Sequence, residues 1–599
     1  MPGLTLIHRT EAPVEPASVR ASLAIASSDT DAGPELSHDL LYTAQHTVLA
    51  VSYYAEYPWR WLETNRFQIA LEGHIYNLKG PVDQSLPPVA NRLFGTSSLS
   101  RAAGAWLPTV DGDFVLWLRE KASGRIVLLN DMLGRLPLYA SFAPSQPGET
   151  IVSRSVQTVA HWVGVQRPDR NAMAEMLLFG YPLANHTLFE GVRRLVPATA
   201  VQPRAHDATS VSDPVQRVTP SSRRSCETNA RLLADRFRRA CARRAPTDVQ
   251  AVLGLSGGLD SRAVLAGLVR SSDASSLHAT TFARRDGSNA EDVSHAESIA
   301  NLLEVPWSSF PLSTPSENAR QTLLHLKGGL NSLEYGFMVD VLRHLRSTFG
   351  GEAILFTGDG GDKMLPDLRP APRLSDASTF LDHLLKTQGQ MPMETVAAMV
   401  GLQRDDFADR LLNRVDAYET STWADRYAEF MVRERALSGF FEGEDRNRHF
   451  LWHNAPFYAW PVVSLALQIP FAQKSYDRLY STFLHVLAPK IQSVPRANHA
   501  STKPGSPFYT LFARFRDTVH KFPYLQASIR SLFQDRKSAH AETEVATRIR
   551  AQIRRTPAIR TSLSVSTLDQ LLDGGRSSSR RGLYALLTLT SFLETYIHQ

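Results

Sequence analysis

The sequence predicts an α/β protein with a β-rich N-terminal domain and a larger C-terminal domain built on a parallel sheet. Three short alternating runs in the N-terminal third, Phe67–Leu71, Asp113–Leu118 and Arg125–Leu129, are separated by turn residues. This is the pattern of half-buried strands. Further along, the apolar runs Ala251–Leu255 and Ala279–Phe282 alternate with helical segments. Such alternation is typical of parallel strands joined by crossover helices.

The domain boundaries follow from a change in composition. The chain has 599 residues, enough for several domains at about 100–200 residues each. Residues 201–228 lose periodicity and are rich in Ser, Thr, Pro and Arg, so we expect a linker there. The predicted domains are residues 1–200 and 229–599. The second should open with a helix over Thr228–Ala245 and end with one that places Leu583 and Ile597 on the same face.

The composition excludes several classes of protein. The net charge is +6, too weak a bias to indicate a nucleic-acid surface, so we expect no nucleic-acid partner. The two cysteines, Cys226 and Cys241, exclude a disulfide scaffold and favour a cytoplasmic protein. We expect no transmembrane segment, because no apolar stretch reaches about 18 residues.

The sharpest motif lies between a predicted strand and a predicted helix. It is Leu255–Arg262, with the sequence LSGGLDSR. Gly257 and Gly258 allow backbone N–H groups to approach a phosphate, and the helix N-terminus adds partial positive charge. The hydroxyls of Ser256 and Ser261 are further donors. We interpret Asp260 as a Mg²⁺ ligand, because a carboxylate beside a phosphate needs a cation between them.

This loop lacks the Gly-Lys-Ser/Thr ending of a Walker loop. It resembles the SGGxDS loop of the N-type ATP pyrophosphatases, which cleave ATP to AMP and pyrophosphate. The next strand ends at Thr281 and Phe282, where main-chain groups can hold adenine. By contrast, we interpret the acidic residues that open the helix after this strand, Glu291 and Asp292, as partners of its dipole.

A second Gly-Asp-rich loop follows the predicted strand Ala353–Phe356. Phe356–Lys363 reads FTGDGGDK and offers exposed backbone at Gly358, Asp359 and Gly360. We predict that Asp362 shares Mg²⁺ with Asp260, since both loops follow strand ends of one sheet.

With both loops in place, residues 250–365 resemble the synthetase domain of the asparagine synthetase B family. The N-terminal half resembles that family's glutaminase domain in Phe67–Asn77 (FQIALEGHIYN) and Asn130–Tyr139 (NDMLGRLPLY). Asn454–Phe457 and Leu467–Pro470 resemble two of its later motifs. The resemblance implies an Ntn-type glutaminase-like β-sandwich followed by an N-type ATP-pyrophosphatase domain.

Departures from the family pattern are equally informative. Active glutaminases of the family use an N-terminal cysteine, whereas this sequence begins Met1-Pro2-Gly3, so we expect a degenerate, inactive domain. The family's glutamate before the "RxPF" stretch is missing from Phe450–Asn454. Asp359 stands where β-lactam synthetases place a tyrosine. The family's late lysine falls near Arg496, which can take over its charge role, with Lys503 as a second candidate.

Together these features most resemble the lasso-peptide cyclases. The resemblance implies ATP and Mg²⁺ as cofactors and a precursor peptide as substrate. An Asp or Glu side chain is adenylated, and the peptide's N-terminal amine then closes an isopeptide bond. A leader-peptidase partner is implied in the same way. His453 is our candidate general base, although the aromatic residues around it fit a plain helix core equally well.

Three other functions remain open. An amide ligase of the β-lactam or asparagine synthetase kind is the nearest. A tRNA-modifying ATP pyrophosphatase uses the same loop, but the weak positive charge argues against it. A catalytically dead binding protein is disfavoured because both loops are intact.

Overall fold

A computed structural model describes most of the chain. The described residues are 1–25, 33–96, 98–142, 148–203, 207–215, 223–271, 276–312, 314–366, 374–420, 422–495, 536–573 and 579–597.

Two six-stranded antiparallel sheets form the first domain. The first sheet has the order β10-β8-β9-β1-β3-β2 and the second β12-β11-β7-β6-β5-β4. The strands are β1 (Gly3–Arg9), β2 (Ser37–Ala44), β3 (Thr47–Tyr53), β4 (Trp59–Glu63), β5 (Phe67–Ile75), β6 (Gly112–Glu120), β7 (Ile126–Asn130), β8 (Tyr139–Ser141), β9 (Glu149–Ser153), β10 (Arg193–Arg194), β11 (Thr199–Gln202) and β12 (Asp207–Ser210).

Successive side chains of these strands point to opposite faces of the sheets, and this alternation forms the core of the sandwich. Leu4 and Leu6 of β1 meet Trp117 of β6 and Leu128 of β7 in one core between the sheets. Neighbouring residues such as Ile7 face outward and pack against helices, as the two-residue period requires. The helices of this domain are α1 (Pro16–Ile25), α2 (Val82–Phe94), α3 (Leu99–Trp106), α4 (Val156–Val163) and α5 (Arg170–Phe179). The predicted sandwich is thus confirmed.

One feature differs from the predicted division of the chain. β12 lies inside the expected linker 201–228 and pairs with β11 as the edge of the second sheet. Its four residues, Asp207–Ser210, are too short and polar to stand out as a strand in the sequence. The described part of the sandwich therefore extends beyond residue 200.

A five-stranded parallel sheet organises the second domain, in the order β15-β14-β13-β16-β17. Its strands are β13 (Ala251–Gly254), β14 (Leu277–Arg284), β15 (Trp307–Leu312), β16 (Ile354–Phe356) and β17 (His453–Asn454). The helices that precede or connect the first four are α6 (Cys226–Arg244), α7 (Leu259–Leu268), α8 (Ala290–Leu302), α9 (Glu317–Lys327) and α10 (Phe337–Phe349). This part of the fold agrees closely with the sequence prediction.

The rest of the second domain is helical. Its α-helices are α11 (Gly361–Met364), α12 (Ala377–Gln388), α13 (Met393–Val400), α14 (Arg404–Asp416), α15 (Trp423–Phe430), α16 (Phe441–Phe450), α17 (Trp460–Gln468), α18 (Phe471–Lys474), α19 (Arg478–Leu487), α20 (Arg536–Arg555), α21 (Pro557–Ser562), α22 (Val565–Asp573) and α23 (Arg580–Tyr596). A π-helix, Met431–Phe440, runs directly into α16. Short 3₁₀ turns lie at Leu107–Thr109, Leu333–Gly336, Pro456–Tyr458, Ser475–Asp477 and Pro489–Ser493.

The helix α16 is highly charged and yet completely buried between the two domains. Asp445 is fully buried and pairs with Arg154 of the first domain and, at 2.6 Å, with Lys327. Lys327 also contacts Glu442 at 2.6 Å. A charge in a protein interior is strongly destabilising unless it is paired. These pairs therefore fix the sandwich to the helical domain.

A second group of charges joins the same two domains. Arg135, on the segment after β7, pairs with Glu444 of α16 and lies 3.4 Å from Asp113. Arg448 donates to the Arg135 carbonyl at 2.7 Å and to Asp113 at 3.3 Å. Both guanidinium groups are buried among aromatic rings, with Arg135 over the ring of Tyr458.

Within the part of the chain that the structure describes, no helix has the length and apolar character that a membrane span needs.

Replacing Asp445 by asparagine tests whether these buried ion pairs stabilise the contact between the two domains. Asp445→Asn keeps the shape but leaves the buried cations Arg154 and Lys327 short of one partner. We expect the free energy of unfolding to fall by about 3–5 kcal/mol, measured as a lower urea midpoint. The control, Glu394→Gln, breaks an exposed pair with Arg404 and should leave the midpoint nearly unchanged. Equal urea midpoints for Asp445→Asn and the control would contradict a stabilising role of these ion pairs.

Candidate active site

A cavity of about 670 Å³ lies at the carboxyl ends of the central strands of the parallel sheet. In an open α/β sheet this is the edge where ligands bind. Most of the predicted residues line it, namely Leu255, Ser256, Asp260, Ser261, Thr281, Phe282, Gly358, Asp359 and Asp362. Tyr181 of the first domain and Arg446 of α16 also line it, so both domains contribute to the wall.

The loop between β13 and α7 is held by its own hydroxyl groups. Ser261 Oγ accepts from the Ser256 backbone N–H at 3.0 Å and lies 3.0 Å from Ser256 Oγ. The Gly258 N–H donates to Ser256 Oγ at 3.2 Å. Gly258 is also the N-cap of α7, and no side chain caps that helix. The first turn of α7 therefore keeps N–H groups that can bind an anion.

The loop has one carboxylate partner that the sequence interpretation missed. The Gly257 N–H donates to Asp292 Oδ1 at 2.8 Å, across the sheet edge from α8. The sequence predicts for Asp292 only an interaction with the dipole of its own helix, α8. A phosphate that binds to the Gly257 N–H has to displace Asp292, since both are anions competing for one donor.

The side chain of Arg262 holds the loop between β13 and α7 in place. Its guanidinium, buried to 1% exposure, donates to the Gly257 carbonyl at 2.7 Å and to the Pro495 carbonyl at 3.0 Å. Two carbonyl groups are thereby held away from the anion site. The predicted cations Arg496, which directly follows Pro495 in the chain, and Lys503 both lie outside the described residues.

The second loop lies against the first. A Cβ on Gly358 would come within 2.4 Å of the Ser261 backbone nitrogen, so only glycine allows this approach. The Asp362 N–H donates to Asp260 Oδ2 at 3.3 Å. Gly360 has a φ of +96°, in the region that favours glycine. Gly257, Gly258 and Gly360 are not among the residues that line the cavity.

Asp260 and Asp362 fit a magnesium site that is completed by a nucleotide. Magnesium is commonly held by one or two carboxylates together with substrate phosphates and water. Asp260 Oδ1 accepts from the Tyr480 hydroxyl at 2.5 Å, which orients the carboxylate, and Asp362 is paired with its neighbour Lys363. The described residues contain no cluster of three or more His, Cys, Asp or Glu that could hold a metal without such a ligand.

The other end of the cavity is aromatic. The Phe282 ring lies 5.8 Å from the Phe337 ring, and Arg284 lies over both. The Phe282 carbonyl already accepts from the Asn289 side chain at 2.8 Å, and the Thr281 hydroxyl donates to the Leu255 carbonyl at 2.8 Å. A planar base can therefore be held here by ring contacts, and the contact of adenine with main-chain groups near Thr281 and Phe282 stays a prediction.

His453 is placed behind the cavity wall, with no exposed surface. Its Nε2 lies 2.8 Å from the Thr357 hydroxyl, which donates to Asp359 at 2.7 Å. Burial and the nearby cations Arg448 and Arg135 hold the pKa of His453 well below its usual range. His453 is not among the residues that line the cavity, and its role as general base stays a prediction.

The carboxylate of Glu444 lies in the cavity wall, where the sequence analysis expected none. Its Oε2 is 3.9 Å from His453 Nδ1. Burial raises the pKa of Glu444 to about 7, and Asp359 adds to the rise while Arg135 opposes it. A carboxyl group with such a pKa can exchange a proton near neutral pH. It escaped sequence analysis because no spacing links it to either loop.

The comparisons with known proteins agree with this geometry. The family model for a glutamine amidotransferase domain matches residues 32–213, and the one for asparagine synthase matches residues 232–555. The chain belongs to the asparagine synthase family. Members use ATP, and the match supports an ATP-dependent ligase that forms amide bonds.

A search of the solved structures finds a U34-tRNA thiolase, NcsA from Methanococcus maripaludis, with its [4Fe-4S] cluster. It is 15% identical over 36% of this chain and 80% of that chain, with a TM-score of 0.20. This likeness is too weak to support an argument about function. No curated protein sequence matches the chain.

The raised pKa of Glu444 predicts a pH dependence of stability. Between about pH 4.5 and 7 the folded protein keeps a proton that the unfolded chain releases, so stability falls as pH rises through this range. Glutamine does not titrate in this range. The melting temperature of Glu444→Gln should therefore fall less than that of the wild type between about pH 5 and pH 7.5. The exposed control Glu297→Gln should follow the wild type. Parallel curves for all three proteins would contradict the assignment.

Proposed function

We propose that this protein is a lasso-peptide cyclase. It adenylates an Asp or Glu side chain of a precursor peptide with ATP, and the peptide's N-terminal amine then forms an isopeptide bond. The products are the macrocycle, AMP and pyrophosphate. The protein provides ATP binding, orientation of the peptide and proton transfer.

The observation that carries the proposal is the absence of a thiol from the amidotransferase domain. Residues 1–225 contain no cysteine, Cys226 begins α6, and Cys241 is buried in the core of the second domain. Burial raises the pKa of Cys241 to about 12, which makes it a poor nucleophile. Without a thiol to release ammonia from glutamine, the amine is best supplied by the substrate itself.

The cavity supports a peptide substrate. Its wall carries the aromatic side chains of Tyr181, Tyr335, Phe337 and Phe440, contributed by both domains. Aromatic walls with a few polar groups are typical of sites that enclose extended ligands.

In the first step, the α7 N-terminus with Ser256, Gly257, Gly258 and Ser261 holds the β- and γ-phosphates. Asp260 and Asp362 would hold Mg²⁺, which would neutralise charge on the phosphates. A carboxylate oxygen of the peptide attacks the α-phosphorus, and the bond to the β-phosphate breaks. Pyrophosphate leaves and an acyl-adenylate remains. Arg496 is proposed to stabilise the negative charge of this step.

In the second step, the ammonium of the peptide must lose a proton before it attacks. We assign this role to Glu444, because it lines the cavity and its pKa of about 7 suits a general base. His453 is assigned a positioning role between Glu444 and Asp359, from which it is 3.9 Å distant on either side. A leader peptidase that supplies the free amine is the proposed partner.

An asparagine synthetase-like ligase is the second candidate, because the amidotransferase family model matches almost the whole first domain. Such an enzyme would accept free ammonia and a small acid. Purified protein should therefore be incubated with ATP and Mg²⁺, and either with leaderless precursor peptide or with aspartate and ammonium. Peptide-dependent release of AMP supports the cyclase, whereas release with aspartate and ammonium contradicts it.

The two carboxylates are tested by Asp260→Asn and Asp362→Asn. Both should lower peptide-dependent AMP formation by at least about 100-fold, because a charge that stabilises the transition state is lost. Cys226→Ser is the control and should keep wild-type activity, measured by AMP release. An active Asp260→Asn enzyme would disprove the metal assignment.

Glu444→Gln separates the two steps. A general base for the amine contributes only to ring closure, by about 10²–10⁴-fold. We therefore expect exchange of labelled pyrophosphate into ATP to continue, while the yield of cyclic peptide per turnover falls. Loss of both activities together would mean that Glu444 serves adenylation or folding instead.

A further inference from the structure

Arg446 has an unusual environment for a buried cation. It lies on α16, is only 5% exposed, and lines the cavity. Every other strongly buried arginine of α16 and its surroundings has a carboxylate partner, as described above for Arg135, Arg154 and Arg448. Among the described residues, no carboxylate forms an ion pair with Arg446.

The hydrogen-bond partners of Arg446 are neutral amides. Nη1 donates to Asn331 Oδ1 at 2.8 Å, while Nε and Nη2 donate to Asn447 Oδ1 at 3.2 and 2.9 Å. A guanidinium has five N–H donors, so two are left without an acceptor in the part of the chain that the structure describes. Burial lowers the pKa of Arg446 to about 10, and Asp359 and Tyr335 only partly oppose this.

A buried, uncompensated cation is unfavourable for the folded protein. Such an arrangement is consistent with a site that is completed by an anionic ligand, because arginine binds carboxylates and phosphates through paired N–H donors. The amides of Asn331 and Asn447 are themselves buried. They hold the guanidinium in place without neutralising it.

We propose that Arg446 binds the substrate carboxylate that is to be activated. One carboxylate oxygen accepts from the two remaining N–H donors, and the other oxygen is left to attack the α-phosphorus. This inference rests on the proposed function and names the group by which the enzyme selects an acidic side chain.

The test uses small probes of defined charge. N-acetylglutamate α-amide carries one side-chain carboxylate, and N-acetylglutamine α-amide is its neutral isostere. Pyrophosphate reports the nucleotide site. Binding of each is measured by calorimetry to the wild type, to Arg446→Met and Arg446→Lys, and to the control Arg343→Gln. Arg343 lies on α10 and pairs with Asp340.

We expect the wild type and Arg343→Gln to bind the glutamate probe and to discriminate against the neutral one. Arg446→Met should bind the glutamate probe at least about 10-fold more weakly, the loss expected for hydrogen bonds to a charged group. Arg446→Lys should lie between them, since lysine keeps the charge but not the fork. Pyrophosphate should bind all four proteins equally.

Three results would overturn the proposal. The first is that the wild type and Arg446→Met bind the glutamate probe equally. The second is that the wild type binds both probes equally or binds neither. The third is that Arg446→Met loses only pyrophosphate binding. The last would assign Arg446 to the nucleotide. A melting curve for each variant identifies unfolding, in which case Arg446→Lys carries the test. Arg446-dependent binding without any cyclisation would contradict the proposed function and leave this inference standing.

Discussion

The pairing of buried charges around α16 is the interaction on which the rest of the structure depends. This helix carries carboxylates and guanidinium groups at consecutive positions, and all of them are removed from water. Such a helix is stable in the interior only if most of its charges are paired, as they are for Glu444, Asp445 and Arg448. The sandwich supplies several of these partners, namely Asp113 of β6, Arg135 on the segment after β7 and Arg154 directly after β9. The position of α16, and with it one wall of the cavity, is therefore set by the first domain.

This constraint gives the amidotransferase domain a physical role that needs no thiol. The residues by which it resembles its family include Glu72, Arg135 and Tyr139. Glu72 accepts from Arg154 at 2.8 Å, and Tyr139 donates to Glu442 at 2.7 Å. The family motifs thus coincide with the contacts that orient α16. The domain therefore holds in place the helix that carries Glu444 and Arg446 at the synthetase cavity.

The local parts of the fold and site could be predicted from the sequence. The strands β13, β14 and β16 appear in the sequence as short apolar runs, and the loop Ser256–Ser261 appears as a Gly-rich turn before a helix. These features could be predicted because each is formed by consecutive residues of the chain. Contacts between distant segments left no such signal. Asp292 reaches Gly257 only because α8 packs beside the loop.

The helix α16 shows why the remainder was missed. Its sequence, FEGEDRNRHF, is so polar that periodicity predicts an exposed helix. Its burial is decided by Arg135, Arg154 and other partners more than 100 residues away. From the sequence, the aromatic residues around His453 fit either a pocket wall or a helix core, and the structure places them in the core.

Isotopic labelling identifies the source of the amine that the enzyme joins to the activated carboxylate. The protein is given ATP, Mg²⁺, leaderless precursor peptide, and both glutamine with a ¹⁵N amide and ¹⁵N ammonium. The account predicts a peptide that has lost one water and contains no ¹⁵N, formed together with AMP. A product that carries a ¹⁵N amide on its Asp or Glu side chain would show that ammonia is the nucleophile and would contradict the account.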